Sequence, residues 1–292
     1  MHASIFSDIN SANNCIRLRL SINYDGTDFV GWATQSNQRT VAGVINKTLS
    51  TIFRTPLFIC VAGRTDSGVH ASGQVAHIDI PNNSIFYAYL KNSLPTIKTE
   101  FTSLIKKLAK ILPKDICIYN IVRVPISFNA RFSALRRHYT YKISLAPYGV
   151  MPHEVRFVTT WSRHLNIDRV ILASQKLLGL NDFKAFCRYR TKATTIRNLQ
   201  RLDWVRNGTN ITAYITADAF CWNMVRSLVG ALLIVGSGEK SSNWIIDILT
   251  KKSRSSEFCM APACGLSLTK VDYPSGEGLF TRNYITKNKR II

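Results

Sequence analysis

The chain of 292 residues is 46% hydrophobic and 19% charged, a composition that buries a core and fits one large domain or two of ordinary size. Its 38 Lys and Arg face only 17 Asp and Glu, a net charge of +21 that opposes compaction and points to a polyanionic partner, nucleic acid before membrane. The longest apolar run, around Leu228 to Val235, is far short of the roughly 18 residues that span a bilayer, and residues 1–14 carry neither the basic nor the apolar region of a secretory signal, so they read as a polar tail.

From Cys15, apolar Ile16, Leu18, Leu20, Ile22 and Tyr24 alternate with polar neighbours, which predicts a half-buried strand ending at the turn Asp25-Gly26. Val41, Val44, Ile45, Leu49, Ile52 and Phe53 fall at helical spacing. Leu57 to Val61 and Gln74 to Ile80 read as buried strands, with Pro81 stopping the second. A helix is expected over 101–112, carrying Lys106, Lys107 and Lys110 on its outer face, followed by strands at 116–124 and 138–145. Helical spacing returns over 167–178. Two apolar runs flanking Asn207-Gly208-Thr209-Asn210 predict a hairpin. A long helix is expected over 220–235, a shorter one over 243–249, and a last strand near 265–273.

This order predicts an α/β chain of the α+β type, mostly antiparallel sheet with helices packed on it. The expected organisation is a flexible tail over 1–14, an N-terminal lobe over 15–127, a C-terminal lobe over 128–274 and a loose basic tail over 275–292, with the division near Pro125–Asn129. Seven scattered cysteines without a C-x-x-C pair are expected to be reduced core thiols of a cytoplasmic protein, neither a zinc site nor a disulfide framework.

Between the two short strands lies Ala62-Gly63-Arg64-Thr65-Asp66-Ser67-Gly68-Val69-His70-Ala71-Ser72-Gly73. Its three glycines imply tight turns and close backbone approach, and it holds one carboxylate, one guanidinium and one imidazole. In an arbitrary loop Asp66 is more often a turn cap with Arg64 as surface partner. Asp66-Ser67-Gly68 has the form of an aspartic-protease motif, but that chemistry needs two carboxylates sharing a proton. No second copy of the motif exists in the chain. His70-Ala71 lacks both the Glu and the P-C-x-x-C of a zinc deaminase.

The stretch GRTDSGVHASGQVAHID closely resembles the catalytic motif of the tRNA pseudouridine synthase A (TruA) family. Further blocks resemble the family in its own order. They are Tyr24-Asp25-Gly26-Thr27 with Gly31-Trp32, Arg131-Phe132-Ser133-Ala134, and Arg137-His138-Tyr139-Thr140-Tyr141. Asn181-Asp182-Phe183, Ala219-Phe220, Met224-Val225-Arg226, Ala261-Pro262, Gly265-Leu266 and Val271-Asp272-Tyr273-Pro274 follow. Ala33, Ala42, Ser67 and Cys221-Trp222-Asn223 depart from the usual pattern.

The resemblance implies a tRNA isomerase that detaches uracil at N1 and reattaches it through C5, with an active-site cleft between the lobes. The substrate supplies every atom, so no metal or other cofactor is implied. Asp66 is expected to act as nucleophile or base, Arg226 to pair with its charge, and Tyr139 to stack on the target base and offer its hydroxyl. A uridine in a stem has to be flipped out to be reached. Arg64 is expected in the vacated space, and Leu266, His70 and Arg131 toward the substrate. Two basic runs, 131–150 without an acid and Lys184 to Arg206 with Phe186, Tyr189 and Trp204 interleaved, fit phosphate contacts to a folded RNA. The resemblance also implies modification at positions 38–40 of the anticodon stem-loop and a homodimer. An RNA-binding protein without catalysis is the rival reading.

Overall fold

The computed structural model describes residues 15–81, 101–188, 193–251, 253–275 and 278–287. The tail expected over 1–14, the last residues of the tail expected over 275–292, and Tyr189 of the second basic run lie outside the described residues. The fold is mixed α and β with mostly antiparallel pairing, as the sequence predicts. Described residues within Met1–Leu135 and Val271–Lys287 form one compact unit, and those within Arg136–Lys270 form a second. No helix among the described residues is long and apolar enough to cross a membrane.

The first unit is built on β1 (Cys15–Tyr24), which pairs antiparallel with β3 (His70–Pro81) on one side and β4 (Ile116–Arg123) on the other. The alternation of β1 sends Leu18, Leu20 and Ile22 into the core. The short β2 (Cys60–Val61) pairs with β3. It is shorter than the expected 57–61 strand because side chains of α1 (Val41–Phe53) take its leading amides: Leu57 N–H donates to Ser50 Oγ and Ile59 N–H to Asn46 Oδ1. Helix α1 starts at Thr40, whose Oγ1 accepts the Gly43 N–H. It buries Val41, Ile45, Leu49 and Phe53. Helix α2 (Thr102–Ile111) packs on β4 through Leu104 and Leu108.

Where the sequence reads a loose tail, the structure has α6 (Gly278–Lys287) in this unit. Polar side chains take part in its docking. Asn283 Nδ2 donates to Ser127 O, Asn283 Oδ1 accepts from Ser133 Oγ at 2.7 Å, and Arg282 Nε donates to Ala134 O. A pattern search for apolar periodicity passes over a helix held in this way.

In the second unit β5 (Arg136–Ser144), β9 (Asn210–Ala217), β8 (Ile196–Asn207) and β7 (Gly179–Asp182) run in that order, all antiparallel. β10 (Leu266–Asp272) lies beside β5, and the two-residue β6 (Thr159–Thr160) joins β5 in parallel. α3 (Ile167–Gln175) packs on α4 (Met224–Ser237), where Gly236 leaves room for Leu165 and Val170. Nearly every apolar side chain of α4 is buried. Each such Leu or Val withdrawn from water contributes about 1.5–3 kcal/mol. The helix begins later than the expected Phe220, because Asn223 has φ +69° and a left-handed residue cannot continue a right-handed helix. α5 (Trp244–Thr250) completes the unit.

Candidate active site

In the first unit the loop between β2 and β3 is held along its whole length by the end of β1 and the turn that follows. Gln74 Nε2 donates to Gly63 O at 2.8 Å and to the Tyr24 hydroxyl at 3.3 Å. The Tyr24 hydroxyl in turn lies 2.8 Å from Thr65 Oγ1. Burial pushes the Tyr24 phenol up to about 12, so the phenol is protonated at neutral pH. Trp32 N–H donates to Thr65 O, and Gly68 N–H and Ser67 Oγ both donate to Phe29 O. Inside the loop Val69 N–H closes back on Asp66 O at 3.2 Å, with Gly68 left-handed at φ +75°.

The glycines of the preceding turn are part of this hold. A Cβ on Gly26 would meet Val69 O at 2.0 Å, and one on Gly31 would meet Thr65 O at 2.9 Å while φ stands at +77°. The two glycines let the backbone after β1 lie directly against the backbone that carries Asp66. Asp66 itself is half-buried and Arg64 is exposed. The pair therefore rides on a backbone with little freedom, which is what a positioned carboxylate requires.

His70, expected at the substrate, is buried at 3% exposure, and its Nδ1 accepts the Gly26 N–H at 3.0 Å. An Asp25 carboxylate oxygen lies 3.2 Å from the same nitrogen. A backbone amide does not surrender its proton, so Nδ1 is the acceptor and Asp25 a close electrostatic neighbour. The ring thus ties the first residue of β3 to the turn after β1. Arg131 is exposed, with its guanidinium 5.3 Å from the Phe132 ring centre and its N–H on Asn129 Oδ1. A recess of about 300 Å³ in this unit is lined by Cys15, Leu57, Phe58, Cys60, His77 and Asp79, and neither Arg64 nor Asp66 lines it.

The second unit holds Tyr139, Arg226 and Leu266. Tyr139 sits on β5 opposite Ile215, is 8% exposed, and meets the Phe220 ring edge-on at 5.1 Å. Arg226, in the first turn of α4, is half-buried, and its Nε donates to Ala261 O at 2.7 Å. The Ala261 N–H returns a bond to Arg226 O at 3.0 Å. Tyr141, two residues from Tyr139, donates to Pro262 O, and burial pushes its phenol well above the ordinary value. Leu266 is buried at 5% exposure and opens β10. The Ala261-Pro262 and Gly265-Leu266 blocks thus bear on the same two elements, α4 and β5. Arg64, Asp66, His70 and Arg131 fall in one unit and Tyr139, Arg226 and Leu266 in the other.

Sequence reading passes over the holding roles of Gln74 and Thr65 and the bracing role of Phe220. The signal was present for two of them, since a Gln opening an apolar strand and an aromatic beside Cys221 both stand out from their neighbours. The basic runs are only partly surface. Arg131, Arg136 and Lys142 are exposed, but Arg137 is buried and donates to Asp218 O at 2.6 Å. In the second run Lys184, Arg188, Arg201 and Arg206 are exposed, with Arg201 paired to Asp203 at 2.6 Å.

The expectation of reduced thiols throughout is corrected at one place: Cys187 and Cys221 are joined as a disulfide, with Cα atoms 5.8 Å apart. They lie 34 residues apart in sequence, so only the tertiary fold brings them together. The five remaining cysteines are free. Among the described residues no group of three or more His, Cys, Asp or Glu is placed to hold a metal ion.

A family model described as tRNA pseudouridine synthase matches residues 173–274. The chain is 54% identical over 275 residues to a tRNA pseudouridine synthase A of Mycobacterium leprae, covering 94% of this chain and 96% of that protein. It is 43% identical to the tRNA pseudouridine synthase A of Corynebacterium glutamicum over 94% of this chain and 95% of the relative. The protein of the same name from Frankia casuarinae is 42% identical, over 94% and 96% of the two chains.

Proposed function

The chain belongs to the tRNA pseudouridine synthase A family and is an isomerase acting on tRNA, and we propose that Asp66 is the carboxylate that carries the reaction. In that reaction the N1–C1′ bond of a uridine breaks, the uracil turns, and a C5–C1′ bond forms. N1 takes up a proton as C5 loses one, so the atoms balance without a co-reactant. Asp66 serves as nucleophile or as base at the sugar. Tyr139 stacks on the uracil, braced edge-on by Phe220. Arg226 offsets the carboxylate's charge, and Arg64 takes the space left by the flipped nucleotide. Leu266 packs on the base and Arg131 meets the phosphate backbone. His70 serves the substrate through the loop it fastens to Gly26.

The observation that carries this reading is the fixed backbone on either side of Asp66, bonded to Phe29, Trp32 and Tyr24 through its neighbours. Such a hold supports a charged side chain presented to a substrate rather than a surface turn. The resemblance supports uridines 38–40 of the anticodon stem-loop as the targets, and a cytoplasmic homodimer as the working form.

Incubating unmodified tRNA with the wild type and with Asp66→Asn, then mapping pseudouridine chemically, tests the assignment. Product at positions 38–40 from the wild type alone is expected. Product from both proteins removes Asp66 from the chemistry, and product at other positions removes the anticodon-arm assignment. Light scattering of the purified protein tests the homodimer.

A further inference from the structure

The departure Cys221-Trp222-Asn223 forms a fixed strap between β9 and α4. Cys221 is bonded to Cys187, and the N–H of Arg188 donates to Trp222 O at 2.9 Å, so the strap is fastened twice to the segment 187–188. At its far end Asn223 turns left-handed, and Met224 N–H closes on Cys221 O at 3.1 Å. On this strap Trp222 stands 42% exposed, with the guanidinium carbon of Arg188 only 4.4 Å from its ring centre. Phe220, two residues earlier, meets Tyr139 edge-on. Two residues of chain span at most about 7 Å, so the indole is carried on the same short segment as the ring that braces Tyr139.

The exposed part of the indole offers a flat apolar face on which a planar ligand can stack. The strap is already rigid, so little side-chain freedom is lost when a flat ligand settles on the indole. The guanidinium beside it supplies a cation for a phosphate and a second planar surface. A flat aromatic face next to a fixed cation matches one nucleotide of a single strand, base on the ring and phosphate at the charge. We propose that Trp222 and Arg188 form a stacking site for an unpaired nucleotide that is a near neighbour of the target uridine in the RNA. The site holds the strand beside the target once the uridine has left its stack. This inference rests on the reading of the chain as an isomerase of tRNA uridines.

The test compares the full-length wild type with Trp222→Ala, Trp222→Leu, Trp222→Phe and Arg188→Ala. The readouts are the Kd for unmodified tRNA over a series of salt concentrations, the single-turnover rate at saturating protein, and the melting temperature. Loss of one stacked base is expected to raise the Kd about tenfold in Trp222→Ala and Trp222→Leu. Trp222→Phe is expected to stay near the wild type, because it keeps an aromatic face. Arg188→Ala is expected to weaken binding with a shallower salt dependence, by about one phosphate contact. The rate at saturation is expected to stay within about twofold in every variant, since the stack acts on binding.

A Kd unchanged in both Trp222→Ala and Trp222→Leu overturns the proposal. So does a Trp222→Phe that binds as weakly as Trp222→Ala, because that outcome marks a structural indole. Trp222→Leu keeps apolar bulk and serves if Trp222→Ala does not fold. Failure of the isomerase reading looks different: a wild type that binds tRNA and forms no pseudouridine. The Trp222 series is still read on the Kd in that case.

Discussion

The hydroxyl of Tyr24, the last residue of β1, lies 2.8 Å from Oγ1 of Thr65, the residue immediately before Asp66. Tyr24 is 2% exposed and Thr65 7% exposed, so the bond is sheltered from water. The position of the candidate carboxylate is in this way referred to the central strand of its unit, through one phenol.

Tyr24→Phe keeps the ring and removes the bond, leaving a buried threonine hydroxyl with one partner fewer. The expected cost is about 1–3 kcal/mol, read from the shift in urea midpoint at neutral pH. The alkaline limb gives a second reading. The unfolded phenol titrates near 10.0 and the folded one near about 12. Its contribution is therefore whole below pH 10 and is lost as pH rises through 12. The wild type is expected to lose stability relative to Tyr24→Phe across that window, and parallel curves for the two proteins would disprove the account.

Gly26 and Gly31 are expected to tolerate no side chain. In Gly26→Ala the new Cβ stands 2.0 Å from Val69 O, so the Asp66 loop has to move. A displacement near 1 Å at a catalytic group costs on the order of a hundredfold in rate. kcat/KM is expected to fall by about that factor in Gly26→Ala, and to fall less in Gly31→Ala, whose nearest contact is 2.9 Å. Activity assays on both variants, with circular dichroism to show that each is folded, decide the matter.

His77 sets an acid limit. Burial, aided by the charge of Arg17 and opposed by Asp79, holds its imidazole down to about 4 from an ordinary 6.5. Its Nδ1 accepts the Ala130 N–H at 3.1 Å. The unfolded chain takes up the proton first, so stability is whole above pH 6.5 and falls as pH drops through about 4. At full protonation the loss is on the order of 3 kcal/mol. His77→Asn keeps an acceptor near the Nδ1 position and does not titrate. Its urea midpoint is expected to fall less than that of the wild type between pH 6.5 and 4.

Periodicity made β1, α1, α2, the β8–β9 hairpin and most of α4 legible, because each carries its own buried face in its own residues. The Asp66 loop was legible for another reason: three glycines in one short connection mark tight turns, and one of them, Gly68, stands left-handed at φ +75°. What stayed hidden depends on partners distant in sequence. The two-residue β6 exists only beside β5, and the amides of Leu57 and Ile59 leave the ladder because Ser50 and Asn46 happen to reach them. The late start of α4 hangs on one left-handed Asn223, and the Cys187–Cys221 bond on a meeting that no spacing announces.

Two glycines of α4 separate backbone from side-chain crowding. Ala has a better helix propensity than Gly by about 1 kcal/mol, so the sign rests on the neighbours. A Cβ at Gly236 would meet only side-chain carbons of Leu165 and Val170, whereas at Gly230 it would meet Cys259 O at 2.0 Å. Gly236→Ala is expected to fall within about 1 kcal/mol of the wild type. Gly230→Ala is expected to lose about 1–3 kcal/mol. It is also expected to slow catalysis, since the 259–261 backbone it displaces holds Arg226 through Ala261. Thermal melts and rates on the two variants check the order.

The unit that carries Asp66 is not contiguous in the chain. Tyr273 donates to Ala130 O and packs on Phe128, Leu135 N–H donates to Asp272 O, and Asn283 of α6 reaches back to Ser127 and Ser133. A ribosome delivers residues 136–270 before any of these closing pieces. The first unit lacks this clasp until the end, whereas the contacts that hold the Asp66 loop itself, from Tyr24, Phe29 and Trp32, lie N-terminal to it and are made early. A chain ending at Lys270 would keep those loop contacts and lose every bond that the clasp makes to residues 127–135.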